Sequence, residues 1–192
     1  LELLAKVLLN PGDAVWIEDP GFVGARAAFT AVGAHLIPVS IDGEGMNVEL
    51  GIERHPTPCL MYVTPSHQYP LGMTLTLSRR LALLEVAAQA GAWIIEDDYD
   101  SEFRYVGRPL AALQGWDTEQ RTFLLAPLSK PLFPSIQIGY IIAPPDLCDP
   151  RVRARSLAGH QSPVLEQAVL ADFIDEGHFA RHIRRMRTLY AE

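Results

Sequence analysis

Residues 91–105 read GAWIIEDDYDSEFRY, a short apolar run that stops abruptly at acids. An apolar run bounded by a glycine and charged residues is typical of a buried strand, here residues 92–95. The acids then follow the carboxyl end of that strand, the edge at which open α/β sheets bind ligands. Because unpaired ionised carboxylates are costly to desolvate, we expect the acids to face solvent, a metal ion, basic groups or a cationic ligand atom. The acids are Glu96, Asp97, Asp98, Asp100 and Glu102.

Similar apolar runs recur along the chain and alternate with helical patterns. Further strands are predicted at residues 14–18, 35–39, 59–63, 122–126 and 137–143. The main helices are predicted at residues 1–9, 24–32, 48–54, 79–90, 151–158, 163–177 and 179–191, with Ser162 as an N-cap. This alternation favours an α/β fold with a mostly parallel sheet flanked by helices.

Two local patterns refine the predicted topology. Only ten residues separate the predicted strands 122–126 and 137–143, whereas a parallel crossover needs about a dozen or more. If these strands are adjacent, we therefore expect them to be antiparallel. Ser78 is predicted to cap the helix at residues 79–90, and Gly91 to end it.

Bulk properties exclude several classes of protein. The chain has 192 residues, enough for one domain with a core, and a net charge of −7, so no general attraction to nucleic acid is expected. Cys59 and Cys148 have neither metal-ligand spacing nor a disulfide framework. No apolar run approaches membrane length and no signal peptide is visible. The chain begins at Leu1 rather than at a methionine, and we interpret it as a piece of a longer cytoplasmic polypeptide.

One edge of the predicted sheet collects four loops, at residues 19–22, 64–72, 96–102 and 127–135. The last holds Lys130 in an apolar, proline-bracketed setting, where desolvation would favour a nucleophilic amine and Schiff-base chemistry. Pyridoxal phosphate needs such a lysine and an acid to hold its protonated ring nitrogen.

Plainer interpretations of the same residues stay open at this point. A lone lysine is usually on the surface, an acidic run is usually a solvated turn, and Phe22 is a candidate for the core. Magnesium-assisted phosphoryl chemistry at the acids lacks a phosphate-binding glycine loop and a catalytic basic set. We therefore predict no metal site.

Five motifs together resemble one protein family. They are WIEDPGF at residues 16–22, TPSHQYPLG at residues 64–72, EDDYDSEFRY at residues 96–105, GRPLAALQG at residues 107–115 and LEQAVLADFIDEGHFARHIRRMR at residues 165–187. This set closely resembles the aminotransferase-like domain of MocR-type regulators, bacterial transcription factors of the GntR superfamily. The resemblance implies the large domain of a PLP-dependent transferase of fold type I, similar to aspartate aminotransferase. Residues 1–192 would be an incomplete, cofactor-binding part of it. A winged helix-turn-helix domain would precede it and a small domain would follow, both absent from this chain.

The resemblance also assigns roles to residues. It implies an internal aldimine between Lys130 and pyridoxal 5'-phosphate, Asp97 paired with the pyridine nitrogen, Tyr99 bonded to the ring oxygen, and Phe22 stacked on the ring. Ser129, directly before the lysine, belongs to the same set.

One position of the family pattern is left open. Where related aminotransferases carry Asn-Pro-x-Gly, this chain has Tyr69-Pro70-Leu71-Gly72. Either His67 or Gln68 is expected to take the place of the asparagine, and the sequence does not decide between them.

The lysine motif departs from the family pattern at two positions. Pro127 stands where the family has a threonine whose hydroxyl binds the cofactor phosphate, and Gln137 stands where it has an arginine. A charge-assisted hydrogen bond is worth roughly 1.5–3 kcal/mol, so its loss predicts cofactor binding weaker on the order of tenfold to a hundredfold.

The leading hypothesis is a pyridoxal-phosphate-binding sensor domain of a transcriptional regulator. Its expected partners are a small amino-acid-like or vitamin B6 effector and a second copy of the chain, as a homodimer. DNA would be bound only through the absent N-terminal domain, and no membrane is expected. The alternatives are a catalytically active class I/II aminotransferase and a cofactor-free dimerisation scaffold.

Overall fold

The computed structural model describes residues 1–104, 111–149 and 163–191. Within them lies one seven-stranded sheet in the order β3-β2-β1-β4-β5-β6-β7. Neighbouring strands among β2, β1, β4, β5 and β6 are parallel, whereas β3 and β7 are antiparallel edge strands. The bounds are β1 Ala14–Asp19, β2 His35–Asp42, β3 Gly45–Met46, β4 Leu60–Val63, β5 Trp93–Asp97, β6 Thr122–Pro127 and β7 Gly139–Ile142. The predicted parallel sheet and the antiparallel final pair are both confirmed.

Helices cover both faces of the sheet because alternate strand residues point to opposite sides. Trp16 of β1 packs in one core cluster with Leu83, while its neighbours Val15 and Ile17 pack in a second cluster with Phe29. Strands buried on both faces are typical of parallel α/β sheets. The described helices are α1 Glu2–Leu8, α2 Val23–Ala31, α3 Val48–Arg54, α4 Leu77–Ala90, α5 Val164–Asp175 and α6 His178–Tyr190.

The beginning of α4 differs from the prediction. The N-cap is Thr76, whose Oγ1 accepts a hydrogen bond from the Arg79 amide at 3.4 Å, and Ser78 lies inside the first turn. The apolar pattern of the helix hides this boundary because its first turn carries only one apolar residue, Leu77. The predicted end is confirmed, since Gly91 adopts a left-handed conformation with φ 68°.

Removing the Thr76 cap tests this boundary. Thr76→Ala is expected to lower the free energy of unfolding by about 1 kcal/mol, because the Arg79 amide loses its acceptor. Ser78→Ala is the matched control and should change stability by less than half of that. A larger loss for Ser78→Ala than for Thr76→Ala in urea titrations would contradict this cap assignment.

The acids of residues 96–102 do not all lie beyond the strand. Glu96 and Asp97 are the last residues of β5, and Glu96 is fully buried. Its carboxylate accepts hydrogen bonds from the amides of Leu113 and Gln114 at 2.9 and 3.0 Å. Glu96 therefore faces neither solvent nor the ligand edge. Of the expected partners of the acids it has a basic group, Arg80, and two amides of a distant segment supply its hydrogen bonds.

Arg80, on the buried side of α4, is the second partner of Glu96. Its guanidinium lies 3.8 Å from the Glu96 carboxylate. It also donates to the carbonyls of Leu75, Pro65 and Ala111 at 3.0, 2.9 and 3.0 Å. Arg80 thus ties together the loop after β4, the start of α4 and the segment that begins at residue 111.

Several predictions fall outside the described residues. They are the helix at residues 151–158 and residues 107–110 of the GRPLAALQG motif. The helix predicted to end at Gly177 is confirmed as α5, which ends at Asp175, but its N-cap is Pro163 and not the predicted Ser162, because Pro163 has an extended backbone and the first helical residue is Val164. None of the helices in the described ranges combines the length and the apolar character that crossing a membrane requires.

The strand order creates a crevice at one edge of the sheet. After β1 the chain adds β2 and β3 on one side, then crosses to the other side of β1 to add β4. Such a reversal is a topological switch point, and open α/β sheets bind ligands outside the carboxyl ends of the strands beside it. The loops that follow β1, β4, β5 and β6 therefore meet there.

Candidate functional site

A cavity of about 520 Å³ lies at this edge of the sheet. It joins residues from all four predicted loops, so the expectation of a shared edge is confirmed. Five aromatic rings, one carboxylate and one amine dominate its wall. The described lining residues are Phe22, Tyr62, Tyr69, Tyr99, Tyr140, Asp97, Lys130, Leu1, Thr64, Leu125, Ala126, Pro127, Gly139 and Ile141.

Asp97 is the acid of the cavity, because β5 ends with its side chain at the wall. Its Oδ2 accepts a hydrogen bond of 2.6 Å from the hydroxyl of Tyr62 on the neighbouring strand β4. Burial raises the pKa of Asp97 above its ordinary value, and the Tyr62 hydrogen bond opposes that rise. Burial, then the charge of Asp97, also raises the pKa of Tyr62. The pair therefore places a partly desolvated carboxylate, held by one donor, in the crevice.

Lys130 reaches the cavity from the loop between β6 and β7. The backbone of this loop is fixed at Leu128, whose amide donates to the Ile138 carbonyl at 2.9 Å. Leu128 and Pro131 are buried, whereas Lys130 is exposed. The expected desolvation of the lysine is therefore wrong for the described chain, because Leu128 and Pro131 turn inward while the side chain between them stays outside. The site offers a positioned amine rather than a buried one.

Phe22 and Tyr99 lie on opposite loops at the mouth of the cavity. Phe22 is 39% exposed, so it belongs to the cavity wall and not to the core. It meets Tyr69 edge to face, with ring centroids 5.9 Å apart. Tyr99 stacks on His67 at 6.0 Å, and burial raises the pKa of its hydroxyl. The structure thus brings Phe22, Tyr99, Asp97 and Lys130 together around one space.

Neither His67 nor Gln68 is among the described residues that line the cavity. The ring of His67 lies 2.6 Å from Asp100 Oδ2 and is half exposed. Gln68 is buried, and its amide donates to the carbonyls of Pro20 and Tyr69 at 3.0 and 2.6 Å. Of residues 67–69 it is Tyr69, at the position of the asparagine in Asn-Pro-x-Gly, that lines the cavity.

The residues near the expected phosphate position are distributed unevenly. Pro127 lines the cavity, whereas Ser129 is half-buried and is not among the described lining residues. Gln137 is exposed and borders a separate depression of about 710 Å³. Among the described lining residues, Lys130 is the one basic side chain.

Glu18 is a residue that the sequence analysis missed. It lies at the end of β1, almost fully buried, behind the cavity wall. Its Oε2 accepts hydrogen bonds from Thr64 Oγ1 at 2.6 Å and from Gln68 Nε2 at 3.4 Å. Thr64 Oγ1 in turn accepts from the Tyr69 amide at 3.1 Å. Glu18 therefore joins the loop of Phe22 to the loop of Tyr69, a link that no sequence spacing reveals.

Glu18 also predicts a pH dependence of stability. Burial raises its pKa from the ordinary 4.5 to about 7. Between these values the folded state binds more protons than the unfolded state, so stability falls as pH rises from 4.5 to 7, by about 3 kcal/mol from this group. Glu18→Gln should remove that component. Urea titrations at pH 5 and pH 7 measure it, and an unchanged pH slope in the variant would contradict the assignment.

The donor set of the cavity fits the ring of pyridoxal phosphate. An amine, a partly buried carboxylate, a tyrosine hydroxyl and an exposed aromatic ring surround one space, and these groups suit an aldehyde-bearing pyridinium ring. The fit is weaker for the phosphate, since Pro127 has no hydroxyl and Gln137 lies at the other depression. Tyr62 is the further polar group that the sequence analysis missed, although it stands one position before the end of the predicted strand 59–63.

Comparison with known proteins agrees with this fold. Residues 1–192 match the family model described as aminotransferase class I and II. The chain is 47% identical over 192 residues to the probable rhizopine catabolism regulatory protein MocR of Rhizobium meliloti, covering all of this chain and 38% of that protein. It is 36% identical over 190 residues to the pyridoxine biosynthesis transcriptional regulator PdxR of Corynebacterium glutamicum, covering 99% of this chain and 41% of that protein.

A solved structure gives the same picture. The kynurenine aminotransferase of Pyrococcus horikoshii, determined in complex with PMP, superposes with a TM-score of 0.92 at 31% identity, covering 99% of this chain and 49% of that one. The α/β large-domain fold predicted from the sequence is thereby confirmed. The chain spans about two fifths of the curated regulators and half of the enzyme.

Proposed function

The chain belongs to the class I and II aminotransferase family, and from that premise we propose that it is the cofactor-binding sensor domain of a bacterial transcriptional regulator. Pyridoxal 5'-phosphate would be held in the 520 Å³ cavity through the amine of Lys130. The observation that carries the proposal is the convergence of Lys130, Asp97, Tyr99 and Phe22, from three separate loops, on that one space. The regulatory part rests on the two regulators to which the chain is similar along its whole length.

The residues in and around the cavity have distinct roles in this proposal. When bound, pyridoxal phosphate supplies an electron-withdrawing ring and an aldehyde that bonds to amines. Lys130 would provide the attaching amine, and Asp97 would hold a proton on the ring nitrogen. Tyr99 would donate a hydrogen bond to the ring oxygen, and Phe22 would shield the ring from water. Glu18 keeps the Phe22 and Tyr69 loops in place through Thr64 and Gln68.

The proposed output is a change in DNA binding. A small amino-acid-like or vitamin B6 effector would bind at the cavity and favour one of two arrangements of a cytoplasmic homodimer. A ligand shifts such an equilibrium only by its difference in affinity between the two states. DNA would be contacted by a winged helix-turn-helix domain that precedes this chain, and a small domain would follow it. Both lie outside residues 1–192.

Cofactor titration of the full-length protein tests the proposal. Pyridoxal phosphate should produce a visible absorption band, and borohydride reduction followed by peptide mapping should locate the adduct on Lys130. Absence of a band at saturating cofactor would overturn the proposal. It would favour the cofactor-free scaffold, for which Pro127 and Gln137 are the motivation. If the band forms, steady exchange of amino groups between an amino acid and a keto acid would favour an aminotransferase over a sensor.

A further inference from the structure

Tyr62 and Asp97 form a partly buried pair whose hydrogen bond none of the roles above explains. Tyr62 is paired with Ile95 in the parallel register of β4 and β5. Asp97 follows Ile95 by two positions, so its side chain lies on the same face of the sheet as that of Tyr62. The Tyr62 side chain is fully buried, and its hydroxyl donates to Asp97 Oδ2 at 2.6 Å.

We infer that Tyr62 is a positioning residue for the cofactor, whose hydroxyl keeps the Asp97 carboxylate ionised and directed into the cavity. The inference rests on the proposed function, because Asp97 acts there as the partner of the ring nitrogen. Tyr62 does not act on the cofactor itself. It acts through Asp97. Its hydrogen bond would favour the proton on the ring nitrogen of the cofactor over the proton on the Asp97 carboxylate.

The charges around Asp97 show why it needs a donor. Burial is the largest influence on its pKa and favours the neutral acid, and the neighbouring charge of Asp98 acts in the same direction. Glu18 on β1 is a further acid in electrostatic contact with Asp97, and Tyr99 faces the same carboxylate. The amino group of Leu1 opposes the rise, but it is a charge only in a polypeptide that begins there.

Tyr62 is therefore the donor built into the fold. A tyrosine hydroxyl stabilises the ionised carboxylate, since a hydrogen bond to the charged form of an acid favours that form. Without it, the proton shared with a pyridine nitrogen would move toward the carboxyl oxygen. The ring would then lose positive charge at its nitrogen, and the ion pair would become a neutral hydrogen bond.

The ring of Tyr62 makes a conservative test possible. It packs edge to face against Phe29 of α2, with centroids 5.9 Å apart. Tyr62→Phe keeps this contact and removes only the hydroxyl. Tyr190→Phe is the matched control, because Tyr190 is exposed at the end of α6 and contacts Phe103 rather than the cavity.

Three measurements on the full-length protein test the role of the Tyr62–Asp97 pair. In the cofactor-free protein, carbon NMR of labelled aspartate should show Asp97 titrating at higher pH in Tyr62→Phe than in the parent. With pyridoxal phosphate labelled at the ring nitrogen, the nitrogen shift should move toward that of an unprotonated pyridine. The cofactor Kd should rise about tenfold. Tyr190→Phe should leave all three unchanged.

The double variant separates positioning from a general structural role. If Tyr62 acts through Asp97, Tyr62→Phe should add nothing to the effect of Asp97→Asn on the nitrogen shift and the Kd. Additive effects, or an Asp97 titration that does not move, would overturn the inference. Failure of the parent protein to bind the cofactor would count against the proposed function alone, since the Asp97 titration needs no cofactor.

Discussion

Replacing Lys130 with alanine is expected to abolish the visible band of the cofactor-loaded protein and the adduct trapped by borohydride. Among the described residues that line the cavity, Lys130 is the one basic side chain, so no neighbouring amine can take its place. Asp97 and Phe22 remain, and they should still hold some cofactor without a covalent bond. Absorption spectra and peptide mapping of the full-length variant measure the loss.

The chain offers a matched control for this experiment. It contains two lysines, and the other, Lys6, is exposed on α1. Lys6→Ala should retain the band and the adduct at the level of the parent protein. A band that survives in Lys130→Ala and disappears in Lys6→Ala would mean that the cofactor is attached to Lys6 on α1. That result would refute the proposed site.

Arg80→Leu is expected to cost about 3–5 kcal/mol of unfolding free energy, the largest stability loss predicted here. Arg80 is almost fully buried, and its loss leaves the buried Glu96 carboxylate without its cation. It also removes a donor from the carbonyls of Leu75 and Ala111, and one of the two donors to the Pro65 carbonyl, which keeps the Leu75 amide. Leucine fills part of the volume but cannot satisfy these acceptors, and an unpaired buried polar group is costly. Urea titration of the full-length protein measures the effect.

The neighbouring arginine provides the comparison. Arg79 makes ion pairs with Asp42, Glu44 and Glu49, whose side chains are 39%, 58% and 72% exposed. Solvent screens such pairs, so Arg79→Leu should cost about 1 kcal/mol or less. If Arg79→Leu and Arg80→Leu lowered the free energy of unfolding equally, burial of Arg80 would not explain its contribution to stability.

The fold could be predicted from the sequence where the local residue pattern alone determines the element and its pairing. The strand near residues 92–95 and the antiparallel β6–β7 pair follow from apolar runs and from connection length alone. The cap of α4 was misplaced by two residues because Thr76 and Ser78 are both good caps. Only the observed hydrogen bond to the Arg79 amide distinguishes them.

The sequence predicts only part of the candidate site, because some of its contacts join residues far apart in the chain. Asp97 and Lys130 carry chemistry that their local sequence displays, and the parallel topology brings their loops together. The partners of Glu96 are amides 17 and 18 residues away, and those of Glu18 lie 46 and 50 residues away. Pairings at such separations depend on the folded arrangement, so spacing along the chain does not reveal them. The exposure of Lys130 was missed because an apolar loop was assumed to bury every residue in it.

The β6–β7 hairpin has a consequence for how this chain can change. Pro127 pairs with Gly139, and the Leu128 amide donates to the Ile138 carbonyl, so both ends of the connector are fixed to a register. Inserting or deleting one residue between them would displace the backbone by about 3.3 Å, more than the length of a hydrogen bond. Substitutions in the connector would change its chemistry, whereas insertions or deletions would move Lys130 relative to Asp97. The length of this connector is therefore expected to tolerate less change than the identity of its residues.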